Sequence, residues 1–215
     1  VAARIGGSDQ DSNPRLRAAV DKAKSQSMPK DNIDRAIVKG SGGDEGSNLE
    51  EVTYEGYGPG GVAILIECLT DNRNRTVAEV RHALTKFGGN LGTEGSVAYI
   101  FQQIGLLSLS KVKDPDNIME IAIDNGAEDI EINDDDSIDI VTSPSGFMDV
   151  KDALNNKDIL FNISEITMKA SNEVLIDKSN SESLFKLLDM LEDLDDVQSV
   201  HSNAEVPEDI LRNIN

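Results

Sequence analysis

Arg73 and Arg75 flank an asparagine in the run Thr70-Asp-Asn-Arg-Asn-Arg-Thr76, just ahead of a helical pattern. A helix leaves its first backbone N–H groups free. Two guanidinium groups beside them would complete an anion site suited to a phosphate backbone. The same loop also reads as solvated and polar, with both arginines paired to nearby acids such as Asp71. A second set of cations, Arg15, Arg17, Lys22, Lys30, Arg35 and Lys39, falls on the outer surfaces of two helices expected near the start of the chain. Arg81 lies off the apolar face of the helix after Arg75 and joins Arg73 and Arg75 in a second patch. Such dispersed cations suit backbone contact and shape recognition, since nothing here resembles a base-reading helix.

Other chemistries fail on spacing. Asn133-Asp-Asp-Asp-Ser-Ile-Asp139 has Asp139 where a calcium loop needs glycine and Ser145 where it needs glutamate, so it reads as a hairpin turn. His82 and His201 have no Cys or His at ligand spacing, so no metal site is expected. Gly58-Pro-Gly-Gly61 lacks the Lys-Ser/Thr of a nucleotide loop. No nucleophile signature or acid/base pair can be assembled, so neither an enzyme nor a cofactor is expected.

The elements that must position the cations are legible from periodicity. Asn13 caps a helix with Pro14 at its first position, and Leu16, Ala19, Val20 and Ala23 form its stripe. Ser27 is expected to cap the next helix, with Ile33, Ala36 and Ile37 inward and Gly40 at its end. Gly40 to Ser47 is a linker by composition. Val62 to Leu69 is an apolar run of strand length. Thr76 with Glu79 forms a capping box ahead of Val77, Val80, Leu84 and Phe87, and Gly88-Gly89 stops that helix.

Residues 106–170 read as a complete βαββαβ unit. Its strands are 106–110, 129–132, 137–141 and 162–168; its helices open at Asp114 and Ser145. Residues 49–105 supply only part of a similar unit. The missing helix and strand appear later, where Ser179 and Glu182 cap the stripe Leu184, Leu187, Leu188, Leu191 and Leu194, followed by Val197 to Val200. The chain is therefore expected to be α+β: an N-terminal helical domain, then two ferredoxin-like βαββαβ domains, the second inserted into the first. The expected boundaries are 1–47; 48–105 with 179–205; 106–178; and a tail at 206–215. Tyr99 and Phe101 alternate in Ser96 to Phe101, but the motif of an RNA-recognition sheet is absent, and aromatics are 4% of the chain. Both rings are expected in the core.

The formal net charge of −20 opposes a polyanion. Its distribution is uneven: residues 1–40 carry +3, residues 1–105 carry −2 and residues 106–215 carry −18. A basic end could face phosphates while the acidic half stays away or docks on a basic protein surface. No apolar run reaches the 18 residues of a membrane span. The single Cys68, inside an apolar strand, cannot form an internal disulfide and suits a reducing compartment.

These segments resemble one family. Val1-Ala-Ala-Arg-Ile-Gly-Gly, Asn13 to Lys22, Met28-Pro-Lys-Asp-Asn-Ile33, Lys39-Gly-Ser-Gly42 and the stretch from Tyr54 to about Phe101 are similar to the YebC/PmpR family. That family includes the mitochondrial translational activator of cytochrome c oxidase subunit I. Beyond Gln102 the similarity is one of pattern. The resemblance implies three domains, no enzymatic activity, no cofactor and a cytoplasmic or, for an organellar homologue, mitochondrial location. It implies a DNA-binding transcriptional regulator or a ribosome-associated translation factor acting on stalled chains, with DNA or ribosomal RNA as partner. A monomer is expected, though the sequence itself gives no oligomeric state. Family members carry a Lys/Arg-rich helical segment before the equivalent of Val1, so this chain reads as a fragment or trimmed form.

Overall fold

The computed structural model describes residues 1–43, 49–110, 112, 114–133 and 135–207. Residues 44–47 of the expected linker, Asp134 and most of the expected tail lie outside these residues. The chain divides into two compact units, one of Val1–Glu45 with Gln103–Lys169, the other of Gly46–Gln102 with Ala170–Asn215.

In the first unit, α1 (Ala2–Gly6), α2 (Pro14–Ser25) and α3 (Lys30–Val38) pack Ala2, Ala3, Leu16, Val20 and Ile33 together. Asn13 caps α2 as expected: its Oδ1 accepts from the Leu16 N–H at 3.1 Å, and Pro14 occupies the first helical position. Its Nδ2 donates to the carbonyls of Ala2 and Gly7 and so ties α1 to α2. Ala19 and Ala36, expected inward, are exposed, because a methyl group gains little from burial and the larger Leu16, Val20 and Ile33 fill the core. Ser27 does not cap α3. It takes a left-handed φ of 59° in the turn, and Pro29 occupies the cap position.

The first sheet has the order β3-β1-β2-β9, with β1 (Glu50–Tyr57), β2 (Ala63–Thr70), β3 (Asn90–Leu91) and β9 (Val197–Ser202). β1 and β2 form an antiparallel hairpin, closed by a turn in which Gly60 and Gly61 take φ of 73° and 79°, values that suit glycine. β2 is buried on both faces for most of its length, as an apolar run predicts. Helices α4 (Arg73–Lys86) and α7 (Lys178–Glu192) cover one face, packing Val80, Ala83 and Leu84 with Leu184, Leu187 and Leu191 against Ile64 and Ile66. Cys68 lies in this core, where burial first, then Asp196 and Glu67, push its thiol up to about 12.

The second sheet has the order β5-β6-β4-β7, from β4 (Phe101–Leu109), β5 (Ala127–Ile132), β6 (Ile138–Thr142) and β7 (Ile163–Ala170). With α5 (Pro115–Asp124) and α6 (Phe147–Asn155) it runs βαββαβ. Its core joins Leu107, Leu109, Ile138 and Ile140 to Ile118, Phe147, Val150 and Leu154. Short strands β8 (Val174–Leu175) and β10 (Ala204–Glu205) pair in parallel. The α+β class expected from the sequence is the class observed.

Several element starts differ from expectation. α4 begins three residues before Thr76, because Asn72 accepts the Arg75 N–H at 3.1 Å and Thr76 points inward. α7 begins after Asp177 rather than at Ser179, since the Asp177 carboxylate reaches the Asn180 N–H at 2.8 Å. Ser96 to Ile100 is no strand: a tight turn over Ala98–Ile100 precedes β4, which begins at Phe101. The turn breaks the alternation, so Tyr99 is 79% exposed instead of core, and Phe101 is half-buried.

Leu187 is fully buried between the α7 stripe and the first sheet. We expect Leu187→Ala to cost about 2–5 kcal/mol, the range for a buried leucine that leaves a cavity. A urea titration of both proteins measures it.

Candidate nucleic-acid interface

The end of β2, the start of α4 and the turn before β9 meet at one carboxylate. Asp196 Oδ2 accepts from Thr76 Oγ1 at 2.7 Å and Thr70 Oγ1 at 3.1 Å. The Arg75 guanidinium spans both carboxylate oxygens at 2.8 Å and reaches Asp71 at 3.0 Å. The Asp196 backbone carbonyl accepts the Leu69 N–H at 2.8 Å. Burial opposes the Asp196 charge, but the bonds from Thr76, Arg75 and Thr70 outweigh it and hold the carboxyl below its ordinary value. Arg75 is raised in turn, chiefly by its hydrogen bonds to Asp196 and Asp71.

Arg73 and Arg75 thus lie in the first turn of α4 instead of the preceding loop, and both hold carboxylates. Arg73 Nε donates to Glu50 at 2.7 Å, and Tyr54 Oη donates to the Arg73 carbonyl. A phosphate at this helix end would compete with Glu50, Asp71 and Asp196. Asp71 is the local partner that the sequence suggested. Asp196 is not, because it lies 121 residues from Arg75 and no spacing rule links them.

The cations of α2 and α3 divide by what they touch. Arg17 donates to the backbone carbonyls of Gln10 and Asp11, which fixes the loop ahead of α2. Arg35 donates to the Asp31 carbonyl and to the Asn32 side chain. Neither contact neutralises the guanidinium. Lys22 pairs with Glu165 at 3.2 Å. Arg15 is exposed at the start of α2. Lys30, Lys39 and Arg81 are exposed and form no ion pair among the described residues. Such unpaired cations keep their full charge for a ligand.

A second buried carboxylate shapes the loop after β3. Glu55 accepts the backbone N–H groups of Gly95 and Val97 at 2.6 Å and of Ala98 at 2.7 Å. Burial again works against ionisation, and the three N–H donors more than offset it, so Glu55 also sits below its ordinary value. No motif marks it in the sequence, where it is a single glutamate in Tyr54-Glu-Gly-Tyr57.

No group of three or more His, Cys, Asp or Glu among the described residues could hold a metal ion. No helix among them is long and apolar enough to cross a membrane. Glu128, Asp129 and Glu131 are exposed along β5, the free edge of the second sheet.

These features define an α+β protein with two antiparallel four-stranded sheets. The profile of the TACO1/YebC N-terminal domain matches residues 1–43, and that of the TACO1/YebC second and third domain matches residues 49–204. The chain belongs to the TACO1/YebC family. A relative from Coxiella burnetii named "Probable transcriptional regulatory protein" is 57% identical over 211 residues, covering 98% of this chain and 86% of its own. A relative of the same name from Francisella tularensis subsp. novicida is 54% identical over 214 residues, covering 100% and 86%. The crystal structure of the conserved hypothetical protein Aq1575 from Aquifex aeolicus is similar with a TM-score of 0.85 at 45% identity, covering 98% of this chain and 87% of that one.

Asp196 and Glu55 are both depressed below their ordinary values of 3.8 and 4.5. On acidification the unfolded chain therefore takes up protons first. Their contribution is complete above the ordinary values and is lost as pH falls through the lower folded ones. Asp196→Asn should lower the urea midpoint more than Asp71→Asn does, and flatten the acid limb of the stability curve. Midpoints measured between pH 7 and pH 3 check both.

Proposed function

We propose that this protein is a non-enzymatic regulator of gene expression that contacts nucleic acid through the phosphate backbone, using its N-terminal helices. The observation that carries the reading is that Lys30 and Lys39 are exposed and form no ion pair among the described residues, within a segment of net +3, on a chain of net −20. Arg15, Arg17 and Arg35 add charge on the same helices. Arg81 contributes a separate cation on α4. Arg73 and Arg75 would contribute only by exchanging Glu50, Asp71 or Asp196 for phosphate. The relatives' shared name supports regulation of transcription, with duplex DNA as target. The alternative target is ribosomal RNA, in a translation factor. The exposed acids of β5 would then suit a basic protein surface beside that RNA.

A salt series with duplex DNA and with ribosomes tests this. Affinity should fall with salt. Lys30→Glu and Lys39→Glu should each weaken binding and lower the slope of log affinity against log salt by about 1, the loss of one phosphate contact. Salt-independent binding, or unchanged binding in the double variant, would overturn the reading.

A further inference from the structure

Tyr99 is the one exposed aromatic ring among the described residues, at 79% exposure. Its sequence neighbours Val97 and Ile100 are anchors at 0% and 8%. The backbone on both sides is held throughout. The Glu55 carboxylate takes three N–H groups between Gly95 and Ala98. Tyr57 Oη donates to the Ser96 carbonyl at 3.0 Å, and the Gly92 N–H donates to the Glu55 carbonyl at 2.7 Å. Ile100 is held by its N–H to the Val97 carbonyl and by its own carbonyl, which accepts the Ser171 N–H. A Cβ at Gly92 would crowd the Ser96 hydroxyl, and Gly95 has φ +81°, a value that favours glycine. A rigid scaffold thus lifts one ring into solvent, and the hydrophobic effect alone would have turned it inward.

We propose that Tyr99 is a stacking platform for an unpaired nucleobase. The inference rests on the nucleic-acid reading above and narrows it, because a base inside a duplex offers no free face. Three observations favour a base. The neighbours Thr93, Glu94, Gly95, Ser96 and Ala98 are small or polar, whereas a protein hot spot sits within a packed apolar patch. Exposed Glu94 repels phosphate, so the contact at this loop is with a ring face and not with the backbone. The scaffold is already ordered, so stacking costs little further entropy. The ligand at this loop is therefore an unpaired base of a single-stranded or looped segment, beside the backbone contacts that the cations make.

The test compares the full chain with its Tyr99→Ala and Tyr99→Phe variants. The probes are a 12-nucleotide single-stranded RNA, a 12-base-pair DNA duplex and purified ribosomes. Tyr99→Ala should weaken single-strand binding about 5- to 160-fold, the range for one lost stack. Tyr99→Phe should retain it, duplex binding should be unchanged, and urea midpoints should agree across all three proteins. Equal single-strand affinity for wild type and Tyr99→Ala would overturn the inference while leaving backbone binding intact. Equal loss in Tyr99→Phe would also overturn it, by assigning the contact to the hydroxyl. If wild type binds none of the probes, the nucleic-acid reading itself fails.

Discussion

The Asp196 carboxylate is the constraint on which the first sheet depends. Residues far apart in sequence, Thr70, Arg75 and Thr76 on one side and the α7–β9 connection on the other, are joined at its two oxygens. A sheet completed only after a long excursion must cover a large loop-closure entropy. A buried, fully bonded carboxylate at the closing point, together with the Asn203 side chain on the Ala63 N–H at 2.7 Å, gives that closure a specific register as well as energy. The excursion itself is arranged to leave and return at neighbouring points. β4 and β7 are adjacent strands, bonded near one end by the Asn162 N–H to the Ser108 carbonyl and near the other by the Ser171 N–H to the Ile100 carbonyl.

The same economy governs the charges. A chain with 40 acids and 20 lysines and arginines offers its cations a twofold excess of carboxylates. On α4 the sheet's own closure takes Arg75, and Glu50 takes Arg73. Local bonds on α2 and α3 run mostly to carbonyls, which orient a guanidinium without cancelling its charge. The division between cations that build the fold and cations that remain for a ligand is therefore a matter of which partner each one reaches, carboxylate or carbonyl.

How much of this the sequence disclosed follows from the range of the interactions. The Asn13 and Asp114 caps are local, each followed by proline, and both were legible. The leucine stripe of α7 was legible because its period repeats over several turns. The true caps of α4 and α7 were missed because Asn72 and Asp177 each stand a few residues before a better-looking Thr or Ser, and only geometry chooses between them. Tyr99 was misplaced because alternation assumes an extended chain, and one tight turn changes the parity of every residue after it. Asp196 and Glu55 could not have been picked from among 40 acids, since their roles are fixed by donors 40 to 126 residues away.

Cys68 lies 2% exposed in the first core, with its thiol pushed up to about 12. Near neutral pH almost none of it is thiolate, the form that attacks maleimides and peroxides. The chain therefore comes with a chemically silent background: a cysteine engineered at any surface position would be the single reactive handle, and a fluorophore or spin label attached there would report from one address without first removing the native thiol.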